Sequence, residues 1–312
     1  MDTPAPAPVK KMGKIRASYL LATESFELFR KDKEIVWYAI WNAVWVLLVG
    51  LVFLAGYFLL VMNGVLATPS DTAPTSNGLS LFGYATLFVY YLLCSFITAY
   101  YGVALTAVVS TRLEGGDATY KDGITAARSR IKKILEWSIL SATVGVVLQV
   151  LRDRASWAGR FISFLGGVAW GVATFFIVPV LARENETVAG SVKRSSQVFV
   201  STWGETIIMN FGLGLFFLGI HLALILLAIV AFFLVLSSMG LLGAVILLLA
   251  YIVAVIVLIV IRTVLERVFR VVLYTYAVHG TIPDSFTPEL IMGALKRKDG
   301  QQVVRGPAVA PL

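Results

Sequence analysis

Long apolar runs constrain this chain more than any other feature in it. They cover about Ile35–Met62, Leu81–Ser110, Ile134–Leu151, Phe161–Leu181, Thr206–Leu236 and Leu241–Ile261. Crossing a bilayer's hydrocarbon takes about 20 predominantly apolar residues of helix. Hydrocarbon offers the backbone no hydrogen-bond partner, so each run must satisfy its own N–H and C=O groups, and the runs are expected to be α-helices. The expected fold class is all-α: a polytopic membrane protein with six transmembrane helices in three hairpins. Composition agrees, since 58% of residues are apolar and 14% charged, against roughly 45–50% and about 25% in soluble domains.

Charge then orients the spans. The chain has 26 Lys and Arg. On a six-span reading only Arg152, Arg154 and Arg160 fall in outer loops, and the rest lie at the termini or in the segments 111–133 and 182–205. Because Lys and Arg are retained on the cytoplasmic side, both termini are expected inside a cell (inner) membrane. An odd number of spans would export one of the basic termini. The net charge of +8 is read the same way, as positive-inside retention plus attraction to anionic lipid, and not as nucleic-acid binding. The first apolar run is far longer than a signal-peptide core and follows a basic segment, so it reads as a span. Residues 1–12, alternating Pro and Ala, and the tail 299–312 are expected to be disordered, leaving one membrane domain over 13–298.

Amphipathic interfacial helices are expected along the cytoplasmic face. From Gly13 to Glu34, residues Ile15, Tyr19, Ala22, Phe26 and Phe29 make one helical stripe. Between the second and third spans, TRLEGGDATYKDGITAARSRIKKILEW carries six basic residues and the stripe Tyr120, Ile124, Ala127, Ile131, Ile134. Between the fourth and fifth, Val188, Val192, Ser195, Phe199 and Trp203 share a face, with Lys193, Arg194 and Gln197 opposite. Basic helices of this kind lie in the headgroup plane. Lys121, Arg128, Arg130, Lys193 and Arg194 are therefore the candidate contacts for a lipid headgroup or a partner. The paired glycines of LEGGD (Leu113–Asp117) predict a tight turn with positive φ, with Asp117 or Thr119 capping the next helix. Backbone N–H groups there could alternatively form a nest for a lipid phosphate.

Polar groups inside the spans are sparse. His221 lies near the middle of the fifth span, where an ionisable group raises the question of a relay or gate. The plainer reading is a neutral imidazole hydrogen-bonded to a neighbouring helix, for example to a tyrosine such as Tyr91 of the polar second span. Glu136 follows Lys132 and Lys133 closely enough to pair with one of them. Pro179 fits a span terminus or a kink. There is no metal-ligand cluster, no glycine-rich phosphate loop and no convergent acid, base and nucleophile set. No metal, no cofactor and no catalytic residues are expected.

RKDKE before the first span, RLEGGDATYKDG, ILEWSILSATVGVVL, FFIVPVL, SVKRSSQVF, TWGE and the closing LYTYAVHGTIPDSF form an ordered set. It resembles a widespread prokaryotic family of integral membrane proteins of unknown function, over about Gly13–Leu295. The resemblance implies a six-span inner-membrane architecture and supplies no catalytic or binding residues. The function expected from the residues is that of a non-enzymatic protein binding anionic lipid, a protein partner or a second copy of itself through its basic cytoplasmic face. The alternative is a small transporter or channel using the polar second span and His221.

Overall fold

The computed structural model describes residues 33–63, 80–154, 157–203 and 207–279. The expected helix over 13–34, both tails, the outer loop and the amphipathic segment after His279 lie wholly or largely outside them. Among the described residues all regular structure is helical. The helices are α1 (Lys33–Met62), α2 (Leu81–Leu113), α3 (Tyr120–Ser129), α4 (Ile131–Arg154), α5 (Trp157–Ala173), α6 (Ile177–Arg183), α7 (Val188–Trp203) and α8 (Ile207–His279). Six stretches are long and apolar enough to cross a membrane: Glu34–Met62, Leu81–Leu113, Ile131–Asp153, Gly159–Arg183, Phe217–Ser238 and Gly240–Val278. Packing divides the chain into two compact units, one of Trp37–Phe199 and one that holds α8.

In the first unit α2 is the central element, packed by α3, α4 and α6. Every residue from Gly102 to Ser110 is buried. Gly102, Ala104, Ala107 and Ser110 are small, which lets neighbouring backbones come close where no hydrophobic effect drives helices together. At α3 the fit leaves no room for a side chain. A Cβ on Gly123 would meet the Tyr38 hydroxyl, the Ala104 carbonyl oxygen and Val108 Cγ2. Tyr38 is fully buried, stacks on Tyr120 at 4.6 Å and donates its hydroxyl hydrogen to the Tyr120 carbonyl at 2.8 Å. Its neighbours Trp37, Trp41 and Trp45 stay exposed, as an aromatic belt requires. Of these four aromatic rings, Tyr38 alone is buried.

The fourth span is broken. α5 ends at Ala173, a turn occupies residues 174–176, and α6 starts at Ile177. Pro179 sits in the first turn of α6, where a missing N–H leaves no intrahelical bond unmade. The break therefore lies upstream of the proline. Trp137 stacks on Trp170 at 5.7 Å, and the Ser163 hydroxyl donates to the Leu148 carbonyl at 2.8 Å, fastening α5 to α4.

In the other unit, α8 is two helices merged across Gly240, whose φ of 66° belongs to the left-handed region that glycine tolerates. Arg262 Nε donates to Glu266 Oε1 at 2.7 Å, a pair four residues apart on one helix face. Beyond it Val264, Leu265, Val268, Phe269 and Val271–Tyr274 are buried, so this continuation of the last span is a packed element.

Candidate functional site

The polar end of the first unit begins where α2 stops. Gly115 has φ 85°, the Gly116 N–H donates to the Thr111 carbonyl at 2.9 Å, and the Gly115 N–H donates to the Arg112 carbonyl at 3.0 Å. This paired closure is a Schellman motif, which satisfies the last carbonyls of the helix. The N–H groups of Glu114, Gly115 and Gly116 are all spent on α2 carbonyls. LEGGD is therefore a helix stop, and the phosphate nest considered from sequence is closed. Arg112 reinforces the turn, donating from Nε and Nη2 to the Ala118 carbonyl at 3.0 and 2.7 Å.

Thr119 then starts α3. Its N–H and hydroxyl both donate to Asp122 Oδ2, at 2.8 and 2.7 Å, and these bonds hold the Asp122 carboxyl below its ordinary pKa. Tyr120, half-buried and stacked on Tyr38 of α1, has its phenol pushed up by desolvation and secondarily by Tyr100. Gly123 and Ala127 form the inner face of α3, while Lys121 and Arg128 are exposed. The expected single helix running on into the third span is instead two, divided at Arg130 (φ −104°, ψ 10°).

Arg130 is not an exposed headgroup contact. Its Nη1 donates to the carbonyls of Leu181 and Glu184, at 3.3 and 2.7 Å, and capping the end of α6 puts its charge at the negative pole of that helix. Desolvation lowers its pKa from the ordinary arginine value. Arg194 departs further from expectation. It is 8% exposed, and its Nε lies 3.0 and 3.2 Å from the two carboxylate oxygens of Glu184, itself 4% exposed. The buried face of α7 carries Val188, Ser195 and Phe199 of the stripe read off hydropathy, and with them Ser191, Arg194 and Val198, while Val192 is half-buried. Ser195 and Ser191 are small enough to go inside, and Ser195 Oγ accepts the Phe176 N–H at 3.0 Å, satisfying a backbone donor freed by the broken fourth span.

Two further bonds tie the same end. Arg183 Nη2 pairs with Glu114 Oε1 at 2.5 Å, and Lys133 Nζ donates to Asn185 Oδ1 at 2.7 Å. The pairing of Glu136 with Lys132 or Lys133 does not form. Glu136 is exposed, and Lys133 reaches Asn185. Lys132 and Lys193 are exposed. Of the cations proposed from sequence, Lys121, Arg128 and Lys193 thus remain at the surface, while Arg130 is half-buried on the carbonyls at the end of α6 and Arg194 is buried. Sequence reasoning missed Glu184. Its signal was a carboxylate at the end of an apolar span, ten residues before an arginine on a short helix.

The intramembrane candidates are each described within their own unit. His221 Nδ1 lies 3.3 Å from the Phe217 carbonyl of its own helix, one turn back. Tyr91 is half-buried, lies against Gly145 of α4 and meets Tyr90 at a centroid distance of 6.0 Å. The two residues belong to different units. At the other end of the first unit, Tyr84 donates to Asp153 Oδ2 at 3.2 Å, and Gln149 Nε2 donates to Oδ1 at 2.8 Å.

Six apolar spans, a helical fold without strands among the described residues, and charge gathered into sealed helix junctions define a multi-pass α-helical membrane protein. Its place among known sequences follows from the same elements. The chain belongs to DUF6159, a family of unknown function, whose sequence model matches residues 81–283. The matched part starts with α2 and includes the whole polar junction. No curated protein and no solved structure matches the chain.

Proposed function

We propose that this protein is a non-enzymatic component of a prokaryotic inner membrane, with both termini cytoplasmic, and that it binds anionic lipid headgroups through its basic face. The observation that carries the reading is the division among the cations. Arg130, Arg183 and Arg194 are engaged within the fold, while Lys121, Arg128, Lys132 and Lys193 are exposed on α3, α4 and α7 around one junction. A cation near an anionic surface contributes about 1 kcal/mol, which is about a fivefold preference per residue. Transport receives less support. Transporters place ligands where a span is broken and its backbone groups are open. Here Ser195 accepts the Phe176 N–H, and Arg130 caps the end of α6.

The test is lipid selectivity in nanodiscs holding equal phosphatidylglycerol and phosphatidylcholine. The native chain should enrich phosphatidylglycerol. The triple variant Lys121→Gln, Arg128→Gln, Lys193→Gln should lose that enrichment, while Arg152→Gln, exposed at the opposite end, should keep it. Enrichment unchanged in the triple variant would sink the proposal, and co-purification of a protein lost with the same three charges would replace lipid by a partner.

A further inference from the structure

Arg152 lies in the last turn of α4 and Arg160 in the first turn of α5, at the end of the first unit away from the polar junction. Both are exposed, and neither forms a hydrogen bond or ion pair with another described residue. Register brings them together. Ser163 Oγ donates to the Leu148 carbonyl at 2.8 Å, and a Cβ on Gly166 would come within 3.1 Å of Leu148 Cδ2, so Leu148 marks the line where α4 faces α5. Toward the tip of the hairpin, Arg152 lies four residues beyond Leu148 and Arg160 three before Ser163. At about 100° per residue, the first offset overshoots a full turn by about 40° and the second stops about 60° short of one. On two antiparallel helices these opposite senses open to the same side. Both arginines therefore leave one side of the hairpin at one level, from axes about 8–10 Å apart.

The same side holds a carboxylate. Asp153 lies about 100° further round α4 than Arg152, toward α2. Its oxygens accept the Tyr84 hydroxyl at 3.2 Å and Gln149 Nε2 at 2.8 Å. These bonds hold it in place while it stays half-buried. An ionised carboxylate offers about four acceptor sites, so both oxygens retain capacity. Depth follows from the neighbouring rings. Trp157 is 77% exposed and stacks at 6.2 Å on Phe161, itself 52% exposed. Exposed aromatic rings at a span end favour the headgroup level, which is the level of lipid phosphates.

We propose that the tip of the α4–α5 hairpin binds the headgroup of a phospholipid bearing a primary amine, in the leaflet opposite the basic junction. Arg152 and Arg160 take the phosphate, whose oxygens match the paired N–H donors of guanidinium. Asp153 takes the ammonium, which brings three N–H donors. The quaternary ammonium of phosphatidylcholine brings none, and phosphatidylglycerol has no cation to offer. Selection here is by the amine and not by net charge, so this site and the anionic-lipid face fail independently.

The experiment is native mass spectrometry of the full chain released from nanodiscs of equal phosphatidylethanolamine and phosphatidylcholine, where the basic face has no anionic lipid to select. The expected result is one retained phospholipid per chain, phosphatidylethanolamine exceeding phosphatidylcholine about tenfold, the worth of one hydrogen bond between charged groups. The variant Arg152→Gln, Arg160→Gln should lose the lipid. Asp153→Asn, which keeps an acceptor for Tyr84, should retain a phospholipid with the preference gone. The triple variant Lys121→Gln, Arg128→Gln, Lys193→Gln should behave as the native chain does. Circular dichroism before release should show native helix content in every variant. Equal retention of the two lipids by the native chain, or retention unchanged without the two arginines, would overturn the assignment. So would displacement of the lipid by soluble phosphoethanolamine, which would make a free phosphate compound the ligand.

Discussion

Glu184→Gln tests whether the polar junction holds the first unit together. The substitution keeps size and removes the anion opposite Arg194. The Glu184 and Arg194 side chains are 2% and 10% exposed, so the guanidinium keeps its desolvation cost while its bond to the Glu184 carboxylate loses the anionic acceptor. Breaking a buried pair from one side costs about 3–5 kcal/mol. The amide can still accept one hydrogen bond, which puts the expected loss near the lower end, about 3 kcal/mol. The control is Glu114→Gln, which removes the partner of Arg183 from a site where Glu114 is 57% exposed. Exposed pairs contribute only about 0–1 kcal/mol. Reversible unfolding in mixed micelles, followed by the fluorescence of the stacked Trp137 and Trp170, measures both. Adding Arg194→Met to Glu184→Gln should restore most of the loss, because a packed apolar side chain in place of a buried ion is often neutral. The reasoning is refuted if Glu184→Gln costs no more than Glu114→Gln, or if the double variant is no more stable than the single one.

Two further expectations follow from the same end of the unit. Gly123→Ala should destabilise by about 1–3 kcal/mol through overpacking, because the new methyl meets the Ala104 carbonyl oxygen at 2.7 Å and Val108 Cγ2 at 2.8 Å. Gly167→Ala, with no atom near it, should be neutral or slightly stabilising in the same unfolding assay, and an equal loss at both sites would contradict the packing argument. The Asp122 carboxyl is held low by Thr119 in the folded state, so its contribution is complete above the ordinary aspartate pKa of about 3.9 and is lost as pH falls through the lower folded value. Amide protection at the start of α3, taken relative to the intrinsic exchange rate at each pH, should therefore fall in acid for the native chain and stay level for Asp122→Asn, and equal acid sensitivity in both would show the cap to be without effect.

How much of this was legible beforehand can be judged residue by residue. The glycine turn of LEGGD, the start of a helix at Thr119 and the pairing of Arg262 with Glu266 were all readable, because each depends on neighbours within a few positions. The exposure of Lys121 and Arg128 followed from the period of α3, whose small inner residues Gly123 and Ala127 leave little choice of face. The stripe of α7 was read rightly at Val188, Ser195 and Phe199, but Val192 is only half-buried and Arg194, placed opposite, goes inside, because hydropathy ranks Val192 above Ser191 and cannot anticipate a buried arginine. Arg194 goes inside because Glu184 waits there, and Glu184 comes from another element.

The sequence by itself determined the number of spans, their helical state and the segregation of charge to their ends. Those properties follow from the hydrocarbon thickness of a bilayer and its exclusion of unpaired backbone groups, which act on each segment separately. Tertiary structure alone decided which arginines are engaged within the fold and that the fourth span breaks at residues 174–176. Each of those depends on hydrogen bonds between elements distant in the chain, and no local period in the sequence records them.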